Sequence, residues 1–294
     1  MILSDIELHA PQSLTEAFKL LGELEEARIV AGGTDLLVDL KQDLVEAKNL
    51  ISLREVKELK GIEKKDSKIR IGAMVTSQEI ISDSLINQYI PALADAAESM
   101  ASFQIRSLAT IGGNISSAVP SADLPPTLIA AEGTVELQCS RSSREVPLSE
   151  LFTGPRETVC NRGELLISIL IPVPPPDTGI SFLKFALREA SALAVASIAS
   201  RLTLKNGKIA GAAVVLGAVA PIPALALKAS EFMCGQEPSD SLFEKAALMA
   251  KDEGKPISDI RGSIWYRKEL IQILTRRTLN EALRRAQGKS RRGK

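Results

Sequence analysis

Histidine is almost missing from this chain: His9 is the only one in 294 residues. A Ser-His-Asp or Cys-His triad would have to use His9 itself, and a multi-histidine metal site is excluded. His9 lies just before Pro11 and a helix cap, a surface setting rather than a catalytic one. Cysteine is scarce as well. Cys139, Cys160 and Cys234 are odd in number and widely spaced, so they give neither a disulfide framework nor a CxxC site. Three scattered thiols and one imidazole cannot assemble an iron–sulfur or zinc site, and a reducing cytoplasm suits them. Aromatic residues are 3% of the chain, too few for recognition of single strands by base stacking. No charge predominates: 36 basic and 36 acidic side chains leave no excess to release counterions from nucleic acid. No apolar run reaches the roughly 20 residues that span a bilayer. The opening Met1-Ile2-Leu3-Ser4-Asp5 meets an acid too soon for a signal peptide. Demanding chemistry here has to come from a bound cofactor, with the protein supplying position and electrostatics.

What the chain does have is two glycine pairs, Ala31-Gly32-Gly33-Thr34-Asp35 and Thr110-Ile111-Gly112-Gly113-Asn114. Neither fits the G-x-G-x-x-G of a dinucleotide fold or the G-K-[ST] ending of a P-loop. Two ordinary tight turns explain either segment alone. Together, each flanked by a small hydroxyl or amide residue, they suggest two backbone loops converging on one anion. Amides in such turns bind phosphate without Lys or Arg, and glycine lets the backbone come close.

The rest of the pattern is α+β in at least three pieces. Ser13-Leu14-Thr15-Glu16 is a capping box opening a short amphipathic helix. Arg28-Ile29-Val30 reads as a strand running into the first glycine segment, Leu36, Leu37 and Leu40 as a buried face beyond it, and Leu50 to Leu53 as the next strand. A second lobe begins near Gly61, with a strand through Ile69 and Ile71 and a cap at Thr76 with Glu79 three residues on. An alanine-rich helix from Pro91 and strands at 134–137 and 165–171 follow. The prolines of Pro172-Val173-Pro174-Pro175-Pro176 mark the clearest boundary, because proline cannot donate to a sheet. Beyond it, two strand-like runs joined by Asn206-Gly207 form a hairpin signal. A long helix covers Tyr266 to Ala286, and the basic run Arg284, Arg285, Lys289, Arg291, Arg292, Lys294 reads as a solvated end. The divisions expected are 1–176, with lobes of about 1–60 and 61–176, then 177–287 and a basic tail 288–294.

The sequence resembles the flavin-binding medium subunit of the molybdenum hydroxylases, the family containing xanthine dehydrogenase and bacterial carbon monoxide dehydrogenase. The residues that carry the likeness are Ala31 to Leu37, Ala109 to Ile115, Pro120-Ser121-Ala122-Asp123-Leu124-Pro125, Glu164-Leu165-Leu166, Ile171-Pro172, Phe182-Leu183-Lys184, and Arg261-Gly262-Ser263 with Tyr266-Arg267. Their order and spacing hold across nearly the whole chain. The resemblance implies a two-lobe FAD-binding domain of the PCMH/VAO type followed by a C-terminal antiparallel-sheet-plus-helices lobe, with FAD in the cleft between them. It places Ile29, Val30, Ala31, Gly32, Gly33, Thr34, Asp35 and Leu36 around the pyrophosphate, and Thr110, Ile111, Gly112, Gly113 and Asn114 opposite. It gives Asp123 to the ribose or adenine end, brings backbone at Leu166 toward the adenine, and sets Lys184 near the flavin ring. Met100 falls where the family often has an apolar residue close to the flavin. Ser191, after Arg188-Glu189-Ala190, stands where several members carry an Asp on the nicotinamide side, which leaves NAD, quinone or a protein carrier open as acceptor.

The same resemblance implies that the [2Fe-2S] clusters and molybdopterin belong to a separate small subunit and a separate large subunit, in a dimer of heterotrimers. Electrons would pass from the clusters through FAD to the acceptor, and no residue here acts as acid, base or nucleophile on the organic substrate. Two other readings stay open at this point: a self-contained VAO-type flavin oxidoreductase, and a scaffold subunit that has lost FAD. The isolated position of His9 and the absence of Cys from the glycine segments weigh against covalent flavin attachment, and the two intact glycine pairs weigh against the scaffold.

Overall fold

Three sheets of three to five strands, with a small two-stranded one at Phe152–Gly154 and Glu157–Thr158, organise the chain, of which the computed structural model describes residues 6–289. The first sheet is small and parallel, in the order Glu7–His9, Asn49–Ser52, Ala27–Val30. Parallel strands need crossover connections: the helix Leu14–Glu23 lies in the one from Glu7–His9 to Ala27–Val30, and the helix Leu36–Lys41 in the one from Ala27–Val30 to its neighbour Asn49–Ser52. Its Ser13 cap accepts from the Glu16 amide, while the Glu16 carboxylate reaches back to the amide of Gln12 rather than to that of Ser13. His9 ends the edge strand and bonds Asn49 Oδ1 through Nε2 at 2.9 Å.

The second sheet is antiparallel, in the order Ile62–Lys65, Lys68–Gly72, Leu165–Pro172, Thr134–Gln138, Ser143–Pro147. Its central strand, Leu165–Pro172, is buried over most of its length. The helix Ser77–Ser82 opens on a complete capping box, with Thr76 and Glu79 exchanging side-chain and backbone bonds. Helix Pro91–Glu98 starts on its proline, where the missing N–H costs nothing.

The third sheet, Thr178–Ala186, Ala194–Lys205, Lys208–Gly217 and Ala224–Leu225, is an antiparallel meander. Asn206 and Gly207 both take positive φ, 54° and 77°, the geometry of the two-residue hairpin turn that this dipeptide favours. The helices Asp240–Glu253 and Ile264–Ala286 pack with this sheet around its own core. Close approach is built in at Gly179, where a Cβ would stand 1.9 Å from the carbonyl oxygen of Ala282. Ile180, Phe182, Ala199 and Val215 of this sheet nevertheless belong to the same apolar core as the second sheet, so the C-terminal lobe is packed against the rest and not merely tethered to it.

The basic end divides. Arg284 and Arg285 are not a solvated run: both sit in the last helix and pair with Glu281, and Arg285 also bonds Asp95 and the carbonyl of Ile180. Arg291, Arg292 and Lys294, like Met1 to Asp5, lie outside the described residues. Among the described residues, no helix is long and apolar enough to cross a membrane, and no group of three or more His, Cys, Asp and Glu side chains is placed to hold a metal.

Candidate functional site

A cavity of about 780 Å³ opens between the lobes. Both glycine segments line it, as do Asp123, Leu166, Met100 and the stretch Ser191-Ala192-Leu193 from the third sheet's connection. Of the residues expected at a ligand, Ile29, Ala31, Gly32, Gly33, Thr34, Asp35, Leu36, Thr110, Gly112, Gly113, Asn114, Asp123 and Leu166 reach the cavity wall, while Val30, Ile111 and Lys184 stand behind it.

The two segments meet physically. A Cβ on Gly32 would lie 1.9 Å from the carbonyl oxygen of Leu108, so only glycine lets the first segment lie against the approach to the second. Gly33 has φ +72°, a left-handed turn that carries the chain from strand into the helix Leu36–Lys41. The second pair is different. Gly112 and Gly113 form the first turn of the helix Ile111–Ser116 rather than a loop, because Thr110 caps it by accepting from the Gly113 amide at 3.1 Å. A Cβ on Gly112 would press on Ala73 at 2.7 Å, whereas one on Gly113 would meet only Thr110 Oγ1, at 3.0 Å, and Ala31 Cβ, at 3.9 Å.

Following the amides separates the roles of the two segments. Ile111 donates to Val75, Gly112 to Ala73, Gly113 to the Thr110 hydroxyl and Asn114 to the Thr110 carbonyl, so these four donors are already used. The amides of Gly32, Gly33, Thr34 and Asp35 donate to no acceptor among the described residues. Four consecutive unspent N–H groups on a cavity wall make an anion-binding nest. Amide donation, expected from both segments, therefore falls to the first. The second contributes its close packing and the Asn114 side chain.

Two buried acceptors on the wall are also unpartnered, Asn114 Oδ1 and Asp123 Oδ1. Buried polar atoms are ordinarily satisfied, so this wall is made for a ligand that brings its own donors. Asp123 is not alone, however. Its other oxygen accepts from Lys184 Nζ at 2.8 Å, and Lys184 also donates to the carbonyl of Ser99 at 3.0 Å. No cation precedes Asp123 nearby in sequence; its partner arrives from the third sheet, 61 residues later. Burial pushes the Asp123 carboxyl up to about 6, with Lys184 opposing the rise.

Other polar side chains line the cavity as well. Arg156 binds Asp39 at 2.7 Å, and Ser117 donates to Asp35 at 2.9 Å. Bidentate pairing with Arg144 holds the Glu164 carboxyl well below its usual range, at about 2. Burial raises the Cys160 thiol, which leaves it a poor nucleophile at neutral pH. Met100 is buried, its sulfur accepting from Ser77 and Asn114. Ser191 takes φ +50° and donates its amide to Ala101, fastening the 187–193 connection across the mouth. Sequence reasoning did not single out Arg156, Asp39 or Ala101, and it gave Cys160 no place at the site. They lie on separate stretches of chain that only the fold brings together, and no local motif marks them.

A free-amide nest, unpartnered acceptors and a cavity within the usual range for cofactor sites suit a long ligand with a polyanionic centre and hydroxyl or amino donors. A dinucleotide cofactor has that chemistry. A family model described as "FAD binding domain in molybdopterin dehydrogenase" matches residues 4–174, and one described as "CO dehydrogenase flavoprotein C-terminal domain" matches residues 181–282. The chain is similar to the carbon monoxide dehydrogenase medium chain of Afipia carboxidovorans, at 32% identity over 97% of this chain and 99% of that one. It is similar to the xanthine dehydrogenase FAD-binding subunit of Escherichia coli O157:H7, at 30% identity over 96% and 97%. Among solved structures it matches a carbon monoxide dehydrogenase from Hydrogenophaga pseudoflava with a TM-score of 0.93 and 31% identity, covering 97% of this chain and 99% of that one. The chain belongs to the FAD-binding medium subunits of the molybdenum hydroxylase family, flavoprotein subunits of oxidoreductase complexes.

Proposed function

We propose that this subunit is the electron exit of a molybdenum hydroxylase complex. In this reading it receives electrons from the [2Fe-2S] clusters of a small partner subunit, and an external acceptor (NAD, a quinone or a protein carrier) takes them away. A large molybdopterin-binding subunit oxidises the organic substrate, and the three subunits form a dimer of heterotrimers in the cytoplasm. The bound FAD supplies the redox chemistry; the chain's own residues supply the hold. The observation that carries this reading is the run of four unspent amides from Gly32 to Asp35 on the wall of a cavity that Asn114, Asp123 and Leu166 also line.

Each amide aimed at a diphosphate is worth about 1.5–3 kcal/mol as a charge-assisted bond, so the nest binds without a lysine or arginine. Thr34 and Thr110 add hydroxyls from the two sides, Ile29, Val30, Ala31 and Leu36 shape the first segment, and Ile111 with Gly112 and Gly113 sets the opposing helix turn. Asp123 and Asn114 offer acceptors to the ligand's hydroxyl or amino groups, and Leu166 covers it with apolar wall. No histidine lines the cavity, and the one thiol there is held protonated. That favours non-covalent binding of the flavin.

The test is rapid mixing of the complete complex with and without flavin. Substrate should still bleach the iron–sulfur absorption in the deflavo complex, while turnover with the physiological acceptor stops. Loss of bleaching with both partner subunits bound and loaded would make this chain part of substrate oxidation instead.

A further inference from the structure

Lys184 stands behind the cavity wall and touches it at two points. Its ammonium, on the strand Thr178–Ala186 of the C-terminal lobe, holds Asp123 Oδ2 at 2.8 Å and the Ser99 carbonyl at 3.0 Å. The Asp123 and Lys184 side chains are 8% and 6% exposed. Ser99 is followed directly by Met100 and Ala101, both on the wall. One cation of the C-terminal lobe thus fixes two separate parts of a cavity built mainly by the N-terminal lobes. All of Asp123's intramolecular bonding is confined to one oxygen; Oδ1 is left buried, unpartnered and on a residue of the cavity wall.

We infer that Lys184 is a positioning residue for FAD: it does not bind the flavin but holds Asp123 ionised and turned so that Oδ1 accepts from the cofactor. The inference rests on the reading of the cavity as the FAD site. It departs from the role that the family resemblance gives to this lysine, that of a cation beside the flavin ring.

The electrostatics support it. Burial favours the neutral acid at Asp123, and Lys184 is the one charge that opposes this. The other charged groups on elements packed here are engaged elsewhere. Asp95, on helix Pro91–Glu98, pairs with Arg285. Arg106 is held by the carbonyls of Glu98 and Met100, and Glu98 itself is exposed. Ser197, opposite Lys184 on the neighbouring strand, is neutral. Removing the ammonium would leave desolvation unopposed, so Asp123 would be protonated at neutral pH and would present a proton where the ligand needs an acceptor.

The experiment is FAD titration of the flavin-free full chain, followed by quenching of flavin fluorescence across the pH range from about 5 to 9. In the parent, affinity should fall with acid around pH 6, where Asp123 takes up its proton. Lys184→Met should weaken binding about tenfold at neutral pH and move that midpoint up by about two pH units. Lys184→Arg should keep the midpoint near the parent's. Asp123→Asn should remove the pH step and, combined with Lys184→Met, should leave the lysine substitution nearly without further effect.

An unshifted midpoint in Lys184→Met would overturn the inference, as would an equal loss from that substitution in the Asp123→Asn background, because the lysine would then act on the cofactor directly. Should Lys184→Met fail to fold, as judged by thermal unfolding, a pH step surviving in Asp123→Asn alone would overturn it equally. A parent that takes up no FAD at all would sink the assignment of the cavity along with it, which separates the two failures.

Discussion

Individual positions in the cavity wall fail in different ways, and the structure says which. Gly32 and Gly113 look alike in sequence, yet a Cβ at Gly32 collides with backbone at 1.9 Å while one at Gly113 meets no backbone, its nearest neighbour being the Thr110 hydroxyl at 3.0 Å. Gly32→Ala is therefore expected to lower thermal stability and flavin content together. Gly113→Val, at a helical φ with no left-handed strain to add, should leave a folded protein that has lost most of its FAD, because the branched side chain projects into the cavity and crowds the Thr110 cap. Thermal unfolding and flavin-to-protein ratio measured on both variants check the contrast; equal melting losses would refute it. Asp123 needs similar care. Truncation to alanine strands a buried ammonium, which typically costs about 3–5 kcal/mol of stability, so a fall in FAD content would report folding as much as binding. Asp123→Asn keeps the shape, and the expected loss is about 1.5–3 kcal/mol of FAD binding free energy, read by flavin titration with the melting temperature as control.

At the scale of elements, local chemistry was legible wherever it was self-contained. The Ser13 and Thr76 caps, the proline opening at Pro91 and the Asn206-Gly207 hairpin all act over two to four residues, and each is visible in a short window. What escaped depends on partners far along the chain. The edge strand Glu7–His9 exists through pairing with Asn49–Ile51, and a three-residue segment has no periodicity of its own. The helix Asp240–Glu253, capped by Ser239, falls within the expected C-terminal lobe of sheet plus helices, which does not place it. Gly112-Gly113, expected as a loop converging on an anion, is helical: the Thr110 cap, together with Ala73 and Val75 accepting the first amides, outweighs the low helix propensity of two glycines. The site divides along the same line. The glycine segments and Asp123 were identified by motif, but the Asp123–Lys184 contact, with 61 residues between its members, has no local signature. Thr110 gives this level its test. Thr110→Ala should cost about 1 kcal/mol of stability through the lost cap and also reduce FAD affinity, while Thr110→Ser should restore most of both, measured by urea unfolding and flavin titration. Restoration of stability without affinity would confine Thr110 to the cap.

For the whole molecule, the question is whether the N-terminal lobes can hold a cofactor alone. The proline-rich stretch before Asp177 looks like a place to divide the chain, and the nest from Gly32 to Asp35 lies wholly on the N-terminal side. Three features argue against independence. Ile180, Phe182, Ala199 and Val215 fill the same core as the second sheet, so a cut would expose their apolar partners to water. Asp123 would lose the cation that holds it ionised, and Ser99 a donor to its carbonyl. Ser191 would no longer bond Ala101 across the cavity mouth. The last two act on the ligand side and the first on stability, so they can be told apart. A fragment ending at Pro176 is expected to be less stable than the full chain and to retain little FAD. Adding back residues 177–289 in trans should recover flavin in proportion to the complex formed, and a Lys184→Met version of that partner should form the complex yet recover less. Full flavin content in the N-terminal fragment by itself would show that the nest suffices and that the C-terminal lobe contributes nothing to the hold.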